Sequence, residues 1–137
     1  MRLAPDRISA SVNLGLLYAR GGRYAEALPL LRAAFAKAPE QAGLRTNLAL
    51  TLRNAGVELA RAGSLAEAEA LLREALDLTP DDPEIHRNLG LALWEQGRAD
   101  QARPHLERAA ALRPEDAAAT HLLAQFRADP GRPPRFR

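Results

Sequence analysis

Side chains suited to chemistry are few in this sequence. There are three histidines, His86, His105 and His121, and no cysteine. A helical metal site would need two histidines about one turn apart. These three are scattered, so no metal site is expected. Ser9, Ser11 and Ser64 have no evident base and orienting group, and no G-x-S-x-G elbow surrounds them. No glycine-rich phosphate loop is present, and the glycines at Gly21-Gly22 and Gly63 read as turns between helices. Glu67 and Glu69, and Asp81 and Asp82, read as solvated faces and helix caps. The expectation is a protein without catalysis and without a cofactor. The sequence also has four asparagines, Asn13, Asn47, Asn54 and Asn88. A side-chain amide donates and accepts at once, so it can hold a peptide backbone at two points without reading its sequence.

Those amides need elements to position them. The 137 residues are 47% hydrophobic but only 4% aromatic, and alanine and leucine, both helix formers, carry the apolar content. Strict alternation with β-branched residues is scarce, so strands are not expected. No apolar run approaches the ~18 residues of a membrane helix, and the N-terminus lacks the apolar core of a signal peptide. A cytoplasmic location is the default. Residues 128–137 carry three arginines against one aspartate, which accounts for the whole formal charge of +2. The rest of the chain is formally neutral, and nucleic-acid binding is not expected.

An internal repeat organises the chain. Asn13, Leu14, Gly15, Gly22, Arg23, Ala27, Pro29, Leu31 and Pro39 all recur 75 residues later, from Asn88 to Pro114. The prolines Pro5, Pro39, Pro80 and Pro114 give spacings of 34, 41 and 34, so a middle copy carries seven extra residues. Each copy reads as two helices. Asp6 is a candidate cap for the first. Ser64 with Glu67 has the capping-box pattern, and Asp82-Pro83 fits a cap followed by proline at the first helical position. The helix expected from about Gln41 to Ala62 absorbs the seven residues. They are either neutral length variation or a ridge that shapes a binding surface. Gly15, Gly56 and Gly90, with Ala27, Ala68 and Ala102, would let paired helices approach closely. Pro29 and Pro104 fall inside second helices, close enough to the helix start to be tolerated.

The pattern resembles the tetratricopeptide repeat (TPR), a 34-residue helix–turn–helix unit. Copy one supplies Leu14, Gly15, Tyr18, Ala27, Leu31, Ala34 and Pro39; copy three supplies Leu89, Gly90, Leu93, Ala102, Leu106, Ala109 and Pro114. Ser11, Leu52 and His86 stand where the pattern opens with tryptophan. The resemblance implies an all-α, TPR-type α-solenoid, a right-handed superhelix of three repeats plus a C-terminal capping helix. Residues 1–7 are then the remnant of an upstream repeat or a leader. Residues 8–41 form the first repeat, residues 42–82 the second with its lengthened first helix, and residues 83–116 the third. Residues 117–128 are the capping helix, and residues 129–137 a disordered Pro/Arg tail.

In this family the first helices line the concave face. The resemblance therefore places Asn13, Asn47, Asn54 and Asn88 in a groove, as in the asparagine ladder of the O-linked N-acetylglucosamine transferases. They would grip a peptide there, or bond between neighbouring repeats. Arg20, Arg53, Arg61, Arg87, Leu91 and Trp94 share that face, with Trp94 leaning to the groove as an anchor or packing on the next helix. The arginines would attract an acidic segment. Val12 and Leu16 stand where chaperone-binding members begin their carboxylate clamp with Lys and Asn, which argues against chaperone tails as ligands. The expected function is a non-enzymatic scaffold binding an extended or acidic protein segment. Two alternatives remain open. One is a TPR segment of a larger enzyme, because residues 119–135 resemble the linker of bacterial TPR-containing methyltransferases. The other is a self-assembling module, a homo-oligomer through an uncapped first repeat.

Overall fold

A computed structural model describes residues 5–136; Met1 to Ala4 and Arg137 lie outside the described residues, as do the side chains of Pro5 and Asp6. Seven helices and no strands occur among the described residues. They are α1 (Pro5–Arg20), α2 (Tyr24–Lys37), α3 (Leu44–Arg61), α4 (Leu65–Leu78), α5 (Pro83–Glu95), α6 (Ala99–Leu112) and α7 (Ala117–Ala128). None is long and apolar enough to cross a membrane. The chain is an all-α helical solenoid: α1–α2, α3–α4 and α5–α6 are antiparallel hairpins, and α7 packs on α6.

The three hairpin turns repeat one motif. Gly22, Gly63 and Gly97 have φ of 73°, 88° and 79°, a left-handed conformation that side chains resist. After each glycine the next N–H bonds back across the helix end: Arg23 to Tyr18 at 2.9 Å, Ser64 to Leu59 at 2.9 Å, Arg98 to Leu93 at 3.0 Å. The glycine N–H groups bond to Ala19, Ala60 and Trp94, completing a Schellman termination. The hairpins close tightly because the first helix carries glycine where the second presents leucine. A Cβ on Gly15 would lie 3.0 Å from the Leu31 side chain, on Gly56 2.9 Å from Leu72, and on Gly90 2.7 Å from Leu106. Ala27, Ala68 and Ala102 are fully buried at the same interfaces.

Helix starts divide into two kinds. Asp82 caps α5 by accepting from the N–H groups of Glu84 at 2.9 Å and Ile85 at 3.3 Å, and Asp116 caps α7 through Ala118. Ser64 makes no side-chain capping bond, so the capping box expected there does not form. Asp6 falls inside the first turn of α1 rather than ahead of it, because the helix begins at Pro5. Pro29 and Pro104 lie in the second turns of α2 and α6, and both helices run through them.

Two core clusters run along the stack. Ile8, Val12, Leu28, Leu31, Leu44, Leu48 and Leu52 build the first; Leu72, Leu89, Leu93, Trp94, Leu106, Leu123 and Phe126 build the second. The lengthened helix α3 has 18 residues against 13 in α5. It starts at Leu44 rather than near Gln41, because Gly43 adopts a left-handed φ of 80°. Its extra length goes inward: Leu44 and Leu48 are buried beside Ile8 and Val12. Ion pairs tie neighbouring repeats outside the core. Arg32 on α2 holds Glu74 on α4 with two bonds, at 2.8 and 2.6 Å. Glu69 on α4 accepts from Arg98 at 2.6 Å, Arg73 at 2.9 Å and Gln96 at 3.0 Å. Burial alone would raise the Glu69 carboxyl, but those bonds outweigh it and hold the group below the usual carboxylate range.

Candidate functional site

Helical spacing puts Asn54, Val57, Glu58 and Arg61 on one side of α3, and Glu84, Arg87, Asn88 and Leu91 on one side of α5. Those two sides face a common cleft of about 440 Å³. Tyr24 also lines it, as do Arg135 and Phe136 from the C-terminal segment. The apolar surface comes from Val57, Leu91 and Phe136; the rest is charge, amide and the Tyr24 phenol.

Six of the ten residues expected at a groove meet in this cleft: Arg53, Asn54, Arg61, Arg87, Asn88 and Leu91. Four do not. Asn13 and Arg20 are exposed on α1, away from it, and Asn47 is half-buried one helical turn before Thr51, whose hydroxyl donates to the Asn47 carbonyl at 2.8 Å. Trp94 is a correction. It is 1% exposed, packs edge-on against Phe126 of α7 with ring centroids 5.1 Å apart, and donates its indole N–H to the Pro130 carbonyl. It is a core residue closed over by α7 and the tail, so it presents nothing to a groove ligand.

The arginines are largely engaged within the fold. Arg53 pairs with Glu84 at 2.9 Å and lies 3.9 Å from Asp82, reaching from α3 to the start of α5. Arg87 pairs at 3.3 Å with Asp116, the cap of α7. These pairs staple one repeat to the next, and neither arginine is a loose anchor for an acidic segment.

Tyr24, Glu58, Glu84, Arg135 and Phe136 also line the cleft and were not singled out by sequence. Glu58 and Glu84 had a signal, since each stands four residues from a groove asparagine. Burial, and then the Glu58 charge, pushes the Tyr24 hydroxyl up from its ordinary value. The tail had no signal. Residues 129–136 were expected to be disordered; they run back along the groove face instead. The Phe136 N–H donates to Glu95 Oε1 at 2.6 Å, and the Phe136 ring packs on the second core cluster beside Leu91. Burial pushes the Glu95 carboxyl up, opposed by that N–H and by Arg135.

Two histidines scattered in sequence meet in space. His86 Nε2–H donates to the Pro80 carbonyl at 2.7 Å, which leaves His86 Nδ1 to accept from His105 Nδ1–H at 3.1 Å. Their rings stack at 5.4 Å. Burial, and then the nearby His86 and Arg73, lowers the His105 pKa from its ordinary value. Among the described residues no three histidine or acidic side chains converge as metal ligands.

Two family models, both for the tetratricopeptide repeat, match the chain over residues 6–81 and 59–133. Among solved structures, a MamA mutant is 30% identical, with 80% of this chain and 74% of that one aligned at a TM-score of 0.55. The first TPR of Spaghetti (RPAP3), bound to the HSP90 peptide SRMEEVD, is 21% identical over 93% of this chain and 96% of that one, at a TM-score of 0.61. The TPR domain of Arabidopsis OM64 is 18% identical over 90% and 97%, also at 0.61. The last two likenesses are likenesses of fold. No curated protein matches the chain.

Proposed function

The chain belongs to the tetratricopeptide repeat family, and from that premise we propose that it is a non-enzymatic interaction module holding an extended protein segment in the cleft between α3 and α5. One observation carries this reading: Asn54 and Asn88, from successive repeats, line one cleft with an apolar surface of Val57 and Leu91. Two amides in series suit a peptide backbone, and the apolar patch suits an occasional large side chain. A peptide bound to the RPAP3 domain supports the mode. It does not extend to the same ligand, since Val12, at a position where a clamp would begin, is buried in the core.

The test is a pull-down from source-cell lysate with wild type against Asn54→Ala/Asn88→Ala, read by mass spectrometry, with helicity followed by circular dichroism. Trp94 stays untouched because it is core. A partner lost from a variant of unchanged helicity is the expected result. Retention of every partner by the folded variant would sink the groove reading.

A second reading has its own observation. Leu14 and Leu17 on α1 are 41% and 63% exposed, an apolar flank suited to a second copy. Sedimentation against concentration separates this self-assembly from groove binding.

A further inference from the structure

The segment after α7 packs back on the fold. From the end of α7 it turns back past Trp94, whose indole N–H fixes the Pro130 carbonyl, and reaches the ends of α5 and α3. Glu95 then takes the Phe136 N–H at 2.6 Å, and the Phe136 ring sits in the cleft wall with Leu91. The two prolines Pro133 and Pro134 have no N–H to leave unsatisfied and favour an extended backbone. The contacts are therefore those of a bound peptide: main-chain bonds at two points, one aromatic side chain on an apolar wall, and an arginine near a carboxylate.

We propose that residues 130–136 are an internal ligand of the groove, and that its partner is a basic, proline-containing extended strand with an aromatic anchor, which must displace them. The proposal rests on the groove reading above. The charge of the site agrees with it. Arg53 and Arg87 are engaged with Glu84 and Asp116, and Arg61 lines the path as well, while Glu95 accepts from the tail's main chain and Glu58 lines the same cleft. An acidic strand would meet carboxylates along the path that the tail takes. A tethered segment competes at the millimolar effective concentration typical of short linkers, so a free ligand binds the intact chain with reduced apparent affinity.

The probe is a labelled peptide of residues 129–136, DPGRPPRF, titrated by fluorescence anisotropy into the full chain. Three proteins are compared: wild type, Phe136→Ala, and Arg135→Glu. The last is a substitution at an exposed position that sets a new carboxylate beside Glu95 and so releases the tail without touching the core. Both variants are expected to bind the peptide about tenfold tighter than wild type, and Glu95→Gln in the Phe136→Ala background should remove the gain. Trp94, the sole tryptophan, gives an independent readout. Its indole N–H resonance should shift in both tail variants and return when peptide is added. Equal binding by all three proteins, or binding by none, overturns the internal-ligand proposal. If Asn54→Ala/Asn88→Ala loses its lysate partner while the peptide never binds, this inference fails alone. If the peptide binds as expected while that variant keeps its partners, the groove reading of the asparagines fails and the tail contact stands.

Discussion

Residues 13–22 and 88–97 match at five of ten positions and form the same helix end and turn, yet the fold uses them in opposite ways. Leu14 is 41% exposed where its counterpart Leu89 is fully buried; Leu17 is 63% exposed where Ala92 is fully buried. Ala19 is half-buried where Trp94 lies in the core. The local structure does not differ. Both helices end on a left-handed glycine with the same two backbone bonds, and both receive a leucine of the following helix against a glycine. The difference is the neighbour. Helix α5 packs on α4 of the repeat before it, while the matching side of α1 meets solvent among the described residues. In a stacked array stability is a sum of repeat terms and interface terms. One side chain therefore contributes to an interface in the third repeat and, among the described residues, to none in the first.

The sharpest way to break that comparison is the same substitution at both places. Leu89→Ala is expected to cost about 2–5 kcal/mol, and Leu14→Ala less than about 1 kcal/mol, by urea denaturation. Equal costs would mean that the flank of α1 is covered in solution. The next effect concerns the stitch between the second and third repeats. Glu69→Gln removes a carboxylate that three side chains bond, and about 1.5 kcal/mol is expected from the loss of charge-assisted hydrogen bonds. The sign with pH follows from its lowered folded pKa. The contribution is present above the ordinary carboxylate value and is lost as pH falls through the folded one. Wild type should therefore show a stability loss in acid that Glu69→Gln lacks.

A smaller effect sharpens the contrast between repeats one and three. His105 has a folded pKa below its ordinary value, so its contribution is present above about 6.5 and is lost as pH falls through the lowered value. The equivalent of His105 in the first repeat is Leu30, which does not titrate. Hydrogen exchange at mildly acid pH should then weaken protection around α5 and α6 before α1 and α2. Uniform loss along the stack would contradict a local histidine switch. A His105→Asn variant should flatten the difference.

How much of this was legible in the sequence depends on which interactions decide each feature. The helices and turns follow from local spacing, because Gly22, Gly63 and Gly97 act within a few residues of themselves. Six groove residues met in one cleft because the family resemblance assigned the first helices to one face, and helical periodicity puts positions three or four apart on one side of each helix. Trp94 was open to two readings, since its side depends on α7, a helix more than twenty residues away. The His86–His105 contact crosses a hairpin, and short-range ligand spacing is blind to that. The tail was read from composition, and composition does not register that Phe136 and the Pro130 carbonyl find partners on α5. The lengthened helix was seen, but that Leu44 and Leu48 turn into the core depends on Gly43 setting where it starts.

The smallest effect on stability carries the most information about the exposed end. Leu17→Glu places a charge at the most exposed large apolar side chain of α1. Folding of the single chain should change by no more than about 0.5 kcal/mol, as for a surface site. Association should change far more if this flank is a docking face, because desolvating a lone carboxylate against a leucine surface is costly. The expected outcome is a wild type that self-associates with rising concentration in sedimentation and a variant that stays monomeric, both with the same denaturation midpoint at low concentration. A wild type that is monomeric throughout would leave the two matching segments different only in what each happens to touch. Loss of association together with an unchanged midpoint would show that the first repeat keeps, for a second copy, the contact that the third repeat makes with its own chain.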